Sequence, residues 1–422
     1  MTRFAQKSSR PAFGAAIGNV VLALFLVVFG ASPVFAQARA YVTNFSDNTV
    51  SVIDSATNTV VATVPVGTNP EGVAVTPDGA FAYVANFSGH TVSVIAAATN
   101  TVVATVPVGL TPLGVAITPN GDFAYVANQD SNTVSVIDIA TNTVTSTVAV
   151  GAGPRGIAIT PNGAFVYVAN LNGTVSVINT ATNTVSATVP GMVTPFFIAI
   201  TPSGTFAYVT DNSNNTVAVI DTATNTVTAT IPVGTSPHSI DITPNGAFAY
   251  VANFFSSSVS VIDMATNTVV ATVPVAAIPA GVAVRPDGAF AYVPNFFSGT
   301  VQVIDTATNT VTASIPVGLS PALIAFPSRG QPDPVDPIDS LIAQVQALGA
   351  DGSLTENQVA GLIGKLEEIR TKRDNGQTTA ACNQLSSFIS QVSAYVNNGT
   401  LTTTQGQALI DAANAIKTSL GC

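Results

Sequence analysis

The chain has 422 residues, of which only 8% are charged, and a formal net charge of −10. Its 12 basic residues are too few and too scattered to form a groove for nucleic acid, which needs clustered Lys and Arg to neutralise phosphates. With two histidines and two cysteines, it also lacks the phosphate loops, zinc motifs and nucleophile elbows of common enzymes.

Residues 1–36 read as a secretory signal peptide. Arg3, Lys7 and Arg10 form a basic start, residues 19–31 an apolar core, and Val34-Phe35-Ala36 a cleavage site. The apolar run is short for a membrane span. Cleavage after Ala36 takes the formal charge to −13. No later stretch reaches spanning length without a polar interruption, so no membrane span is expected once the signal is removed. The expected location is secreted, periplasmic or at the cell surface.

Residues 37–330 repeat. A Tyr-Val pair recurs at Tyr41, Tyr83, Tyr125, Tyr167, Tyr208, Tyr250 and Tyr292, in steps of 41 or 42 residues. Each unit holds four short runs rich in Val, Ile, Thr, Tyr and Phe, separated by Gly, Pro, Asn, Asp and Ser. Four strands at this period predict a blade of a β-propeller. Ala-Thr-Asn-Thr marks a hairpin in all seven units, and Thr-Pro-(Asp/Asn/Ser)-Gly marks another turn, as at 76–79. The third run ends in proline in six units, with Ala149 the exception. Proline cannot donate to a ladder, so this run is the outermost strand. The Gly-Val-Ala-Val run is then innermost. Residues 41–66 supply three strands with no inner strand before them, and 323–326 supply an inner strand with nothing after it. Together they predict a composite blade that closes the ring.

The motifs Tyr-Val-Thr-Asn at 41–44, Val-Ile-Asp at 52–54 and Thr-Pro-Asp-Gly at 76–79 resemble the YVTN family of β-propeller repeats of surface-layer-like secreted proteins. The resemblance covers residues 37–330. It implies an extracellular seven-bladed propeller and no particular ligand.

A proline-rich linker is expected over 331–337 and a small all-α bundle over 338–422. Apolar residues there follow helical spacing in four stretches, as in Ile338, Leu341, Ile342, Val345 and Leu348. The run Ser353-Leu354-Thr355-Glu356 offers a capping box, and Gly352-Ser353-Leu354-Thr355 is echoed by Gly399-Thr400-Leu401-Thr402. In a secreted chain, Cys382 and Cys422 read as a disulfide. Residues 362–416 resemble the FIMAH-type helical domain of secreted bacterial proteins, which implies attachment or partner binding.

Candidate sites come from positions that differ between the copies. The residue after the proline that opens each inner strand varies round the ring: Glu71, Leu113, Arg155, Phe196, His238, Ala280 and Ala322. These are expected at one mouth of the channel. The loops after Tyr-Val-x-Asn carry Phe45, Phe87, Phe254, Phe255, Phe296 and Phe297, either as an interaction patch or as caps on the core. Six inner strands hold Ala at their centre and one holds Asp241. A salt bridge from Asp241 to Arg285 is preferred over a His238–Asp241 site. The aspartates after Val-Ile (Asp54, Asp138, Asp221, Asp263, Asp305) are expected to cap turns.

These readings favour a non-catalytic scaffold that presents its loop face to a protein or cell-envelope partner, with no cofactor or metal assigned. Two alternatives stand beside it. One is a lactonase-like or cofactor-binding propeller working in the channel, and the other a surface array assembled by calcium. Partner identity and oligomeric state are not legible.

Overall fold

The computed structural model describes residues 39–327, 337–350, 352–374, 377–420 and 422. The expected signal peptide and residues 331–336 of the expected linker lie outside the described residues. Seven four-stranded antiparallel sheets make the propeller. Blade I joins Pro321–Ala325 to Arg39–Asn44, Thr49–Asp54 and Thr59–Pro65. The other six are continuous in the chain, with inner strands Pro70–Val75 (blade II), Pro112–Ile117 (III), Pro154–Ile159 (IV), Pro195–Ile200 (V), Pro237–Ile242 (VI) and Ala283–Val284 (VII). The composite blade closes the ring, with Tyr41 opposite Ala325 and Asn44 opposite Pro321.

Burial follows from position in the blade. The second strand, such as Phe81–Asn86, is buried on both faces because a neighbouring blade covers each. The outer strand, such as Thr101–Pro107, alternates between exposed and half-buried residues. Blade VII departs from the pattern. Its inner strand is regular over only Ala283 and Val284, with an isolated bridge from Pro279 to Asn295, because Pro294 stands where the other blades have Ala or Thr and has no N–H to donate.

Adjacent blades are tied by one recurring bond. The tyrosine of each second strand is at most 1% exposed. Its hydroxyl donates to the asparagine of the Ala-Thr-Asn-Thr hairpin in the next blade: Tyr83 to Asn142 at 2.7 Å, Tyr125 to Asn183 at 2.8 Å, Tyr292 to Asn58 at 2.7 Å. Tyr167, Tyr208 and Tyr250 do the same. The asparagine is chosen twice over. It tolerates the left-handed φ of that turn, 51° to 54° in all seven copies, and its side-chain oxygen meets the tyrosine. Burial pushes the Tyr83, Tyr125, Tyr167 and Tyr250 hydroxyls up to about 12, so they stay donors. The seventh junction differs. Tyr41 makes no such bond to Asn100; Arg39 stands beside it and donates to the Ala97 carbonyl at 2.9 Å.

Four helices follow: α1 (Pro337–Ala350), α2 (Glu356–Asp374), α3 (Thr378–Asn397) and α4 (Thr403–Ser419). They bury one core that includes Ile338, Leu362, Leu385, Phe388 and Ile416. The repeated Gly-x-Leu-Thr turns precede α2 and α4, with Gly352 and Gly399 at φ of 80° and 79°. Thr402 and Gln405 form a full capping box. Before α2 the cap is Thr355 with Gln358, not the box starting at Ser353. The Cys382 and Cys422 sulfurs are at bonding distance, with Cα atoms 6.0 Å apart. No described helix is long and apolar enough to cross a membrane.

The tyrosine bonds give a contrast that can be measured. Tyr125→Phe removes the donor to the half-buried Asn183 oxygen and is expected to cost about 0.5–1.5 kcal/mol of stability. Tyr41→Phe is expected to cost much less. Urea unfolding of the two variants and the parent chain checks this.

Candidate functional site

The variable residues do gather at one mouth, where the inner strands begin. The phenylalanine loops share that mouth, because each is hydrogen-bonded to the turn leading into its own blade's inner strand: Phe45 N–H to Ser320 O at 3.0 Å and Phe254 N–H to Ser236 O at 2.9 Å. The seven residues do not contribute alike. Leu113, Ala280 and Ala322 are buried. Glu71, Arg155, Phe196 and His238 form an arc through blades II to VI. Arg155 Nη2 is 3.8 Å from Glu71 Oε1, reaching past blade III, and the two side chains are 17% and 13% exposed. The Arg155 guanidinium lies 4.0 Å above the Phe196 ring. Phe196 meets His238 edge-on at 4.8 Å, and His238 stacks on Phe254 at 5.4 Å.

Two polar atoms of this arc, Arg155 Nε and His238 Nδ1, are buried with no hydrogen-bond partner among the described residues. The other His238 nitrogen faces the Ala280 carbonyl. A neutral imidazole bonded in this way carries its proton on Nε2 and a lone pair on Nδ1. Burial first, and Arg155 second, push His238 down to about 3. Burial raises the Glu71 carboxyl and lowers the Arg155 guanidinium, each partly offset by the charge of the other. The mouth therefore holds one unsatisfied acceptor and one unsatisfied donor, both shielded from solvent, among aromatic rings.

Sequence comparison at the ring position alone misses a neighbour. One residue further along, four blades have glycine, since the next inner strand crosses there; a Cβ on Gly72 would lie 1.8 Å from the Leu113 carbonyl oxygen. Blade V has Phe197 instead. Its ring is 5.1 Å from His238 and reaches across the ring to the core cluster of Tyr41, Val73 and Leu323 in blades I and II. Thr210 fixes this strand: its hydroxyl accepts from Phe197 N–H at 2.9 Å and donates to the His238 carbonyl at 2.8 Å. Thr43 acts likewise on Leu323 N–H and the Glu71 carbonyl. Thus Thr replaces Ala on the second strand where a large residue replaces Gly on the inner one, a signal readable by aligning the copies.

The phenylalanines divide into two groups. Phe45, Phe87, Phe254 and Phe296 are half-buried, and Phe45 lies 6.1 Å from Phe87 and 6.2 Å from Phe296. Phe255 and Phe297 are 68% and 73% exposed. All six belong to four consecutive blades, VI, VII, I and II, so the aromatic rim is a crescent.

Asp241 is not paired with Arg285, contrary to expectation. Its carboxylate accepts the Val284 N–H at 2.7 Å and the Ile242 N–H at 2.8 Å. Arg285 instead holds Asp287 at 2.6 Å and covers the Phe290 ring. An adjacent aspartate two residues away is a closer partner than one on another strand. Nor do His238 and Asp241 form one site. They lie at different depths, His238 at the mouth and Asp241 inside the channel. The aspartates after Val-Ile do cap turns, as Asp221 does for Ala223 and Thr224.

The family model described as Lactonase, 7-bladed beta-propeller matches residues 34–147 and 141–285, and that of the FIMAH domain matches 338–418. The propeller resemblance thus stands under the lactonase description, not the surface-layer one. No curated protein matches the chain. Among solved structures, hydrazine synthase of Kuenenia stuttgartiensis is 27% identical, with a TM-score of 0.60 over 63% of this chain and 92% of that one. A functionally unknown protein of Desulfotomaculum acetoxidans is 20% identical, with a TM-score of 0.62 over 68% and 98%. The dihydro-heme d1 dehydrogenase NirN, in complex with DHE, is 14% identical, with a TM-score of 0.55 over 70% and 76%. The last two share the fold alone. The lactonase match overturns the expectation of a non-catalytic scaffold and favours the channel-centred alternative.

The site carries its own pH signature. The unfolded chain takes up a proton on His238 near pH 6.5, but the folded site refuses it until about 3. Stability from this residue is full above pH 6.5 and is lost as pH falls. Asp241 has the opposite sign: burial raises it from 3.8 to about 6, so its contribution is present below 3.8 and lost as pH rises through 6. Against His238→Gln, the parent chain is expected to lose on the order of 2 kcal/mol between pH 7 and pH 4.5. Against Asp241→Ala it is expected to gain over the same descent. Thermal unfolding across pH separates the two.

Proposed function

Because the chain belongs to the Lactonase, 7-bladed beta-propeller family and carries a C-terminal FIMAH domain, we propose that it is a channel-mouth enzyme acting on a cyclic ester. The observation that carries this reading is the pair of unpartnered buried atoms, Arg155 Nε and His238 Nδ1, set on one aromatic wall. The guanidinium N–H meets the ester carbonyl oxygen and stabilises the negative charge that grows on it. His238 Nδ1 accepts a hydrogen bond from the attacking water. At a pKa of about 3 the imidazole orients that water and does not deprotonate it. The water oxygen bonds to the carbonyl carbon and the ring C–O bond breaks; one proton of that water passes to the departing oxygen, which becomes a hydroxyl, and the other stays with the new carboxyl group, which ionises and releases it to solvent. Phe196, Phe197 and Phe254 wall the ring of the substrate and exclude bulk water.

The same lone pair supports a second reading. A neutral His238 between Phe196 and Phe254 suits a ligand to the metal of a flat cofactor. In either case we place the protein outside the cytoplasm, on the support of the paired cysteines in α3 and at Cys422.

The test is acid release from a panel of lactones by the full chain, with an absorption spectrum of the purified protein. Turnover is expected above background and should fall about a hundredfold or more in Arg155→Gln, with a loss in His238→Gln and none in Phe255→Ala. Equal rates in all three variants, or no acid release from any lactone, would overturn the hydrolytic reading. A visible absorption band lost in His238→Gln would establish the cofactor reading in its place.

A further inference from the structure

Below Phe197 the channel opens into a cavity of about 490 Å³. All seven inner strands line it. Its walls are Val and Ile, such as Val73, Ile157 and Ile240, and its far rim is a ring of prolines that includes Pro77 and Pro244. A cavity of this size suits a small organic molecule. Phe197 lies between it and the His238 mouth, so the two are separate chambers with separate chemistry.

Among the described residues, Asp241 is the only ionisable one in the lining. The other six blades carry alanine there, so the carboxylate is an addition that the fold does without elsewhere. No described guanidinium in the propeller pairs with it: Arg39 donates to Ala97, Arg155 faces Glu71 and Arg285 holds Asp287. Each carboxylate oxygen takes one backbone N–H, which leaves lone pairs facing the cavity. An uncompensated carboxylate in an apolar wall is costly, and a cation is the partner that removes the cost. No cluster of three or more His, Cys, Asp or Glu stands among the described residues. A single carboxylate gives a metal ion too few ligands, whereas a primary ammonium group needs one charge and a few acceptors. Ser239, two residues before it on the same strand, also lines the cavity; its hydroxyl oxygen accepts the Val282 N–H at 3.3 Å and has a second lone pair.

We propose that the channel below Phe197 is a second binding site, for a small organic cation whose ammonium group pairs with Asp241 and whose apolar body fills the Val-Ile lumen. The site is independent of the reaction at the mouth.

Calorimetric titration of the full chain with hexylammonium, and with hexanol as the uncharged control, tests it. Hexylammonium is expected to bind at one site per chain. Affinity should fall at least about tenfold in Asp241→Ala and Asp241→Asn, and by a similar factor for hexanol on the parent chain. Asp241→Ala installs the residue of the other six blades, and its thermal unfolding confirms that the variant folds. His238→Gln should leave the titration unchanged. No heat of binding, equal affinity for amine and alcohol, or loss in His238→Gln with none in Asp241→Ala would each overturn the proposal.

Discussion

The ring is held by a bond between blades that belongs to neither blade alone. A tyrosine on one second strand is buried and an asparagine on the next blade's hairpin is half-buried, so the tyrosine hydroxyl would be an unsatisfied polar group without its partner. The pair works only if the hairpin adopts its left-handed turn and the blades sit at one fixed angle. Six such bonds therefore fix blade spacing, and blade spacing fixes the width of the channel. Everything at the mouth depends on that width. Phe197 can reach from blade V to the cluster of blades I and II only because the opposite wall stands where it does.

Against this uniform frame, each departure from the repeat has a local consequence. Phe197 in place of glycine divides the channel. Thr210 then secures the strand that carries the bulkier residue, and the same hydroxyl fixes the backbone of His238. Asp241 in place of alanine puts one charge below the partition. Pro294 in place of alanine shortens the inner ladder of blade VII. The chemistry is thus concentrated on a few blades, while the rest serve mainly as frame.

Much of the architecture was legible because repetition amplifies weak signals. One strand built round a Tyr-Val pair is ordinary, but seven such strands at steps of 41 or 42 residues specify a ring. The closing blade followed from three strands at one end and one at the other. The mouth residues were visible for the opposite reason, since variation among near-identical copies stands out. Two things were not legible. The Asp241 carboxylate finds backbone N–H groups, and no side-chain list reveals where a backbone donor points. The absence of catalytic motifs pointed to a scaffold, and the proposed site is of a kind that no motif marks: Arg155 and His238 lie 83 residues apart in the chain and meet through Phe196, without any local pattern.

The composite blade has a mechanical side. Its inner strand, Pro321–Ala325, is the last piece of the propeller, and the chain then leads on toward the helices. Tension carried through that connection loads this strand before any other. The other six inner strands are tethered at both ends within the ring, whereas this one is held by its pairing to Arg39–Asn44, by Thr43, and by Phe326 and Pro327 just beyond it, which pack on Tyr292 and bridge to Val75. Under a pull the clasp is the element that yields first, and its release would open the ring at a single seam with six blades intact.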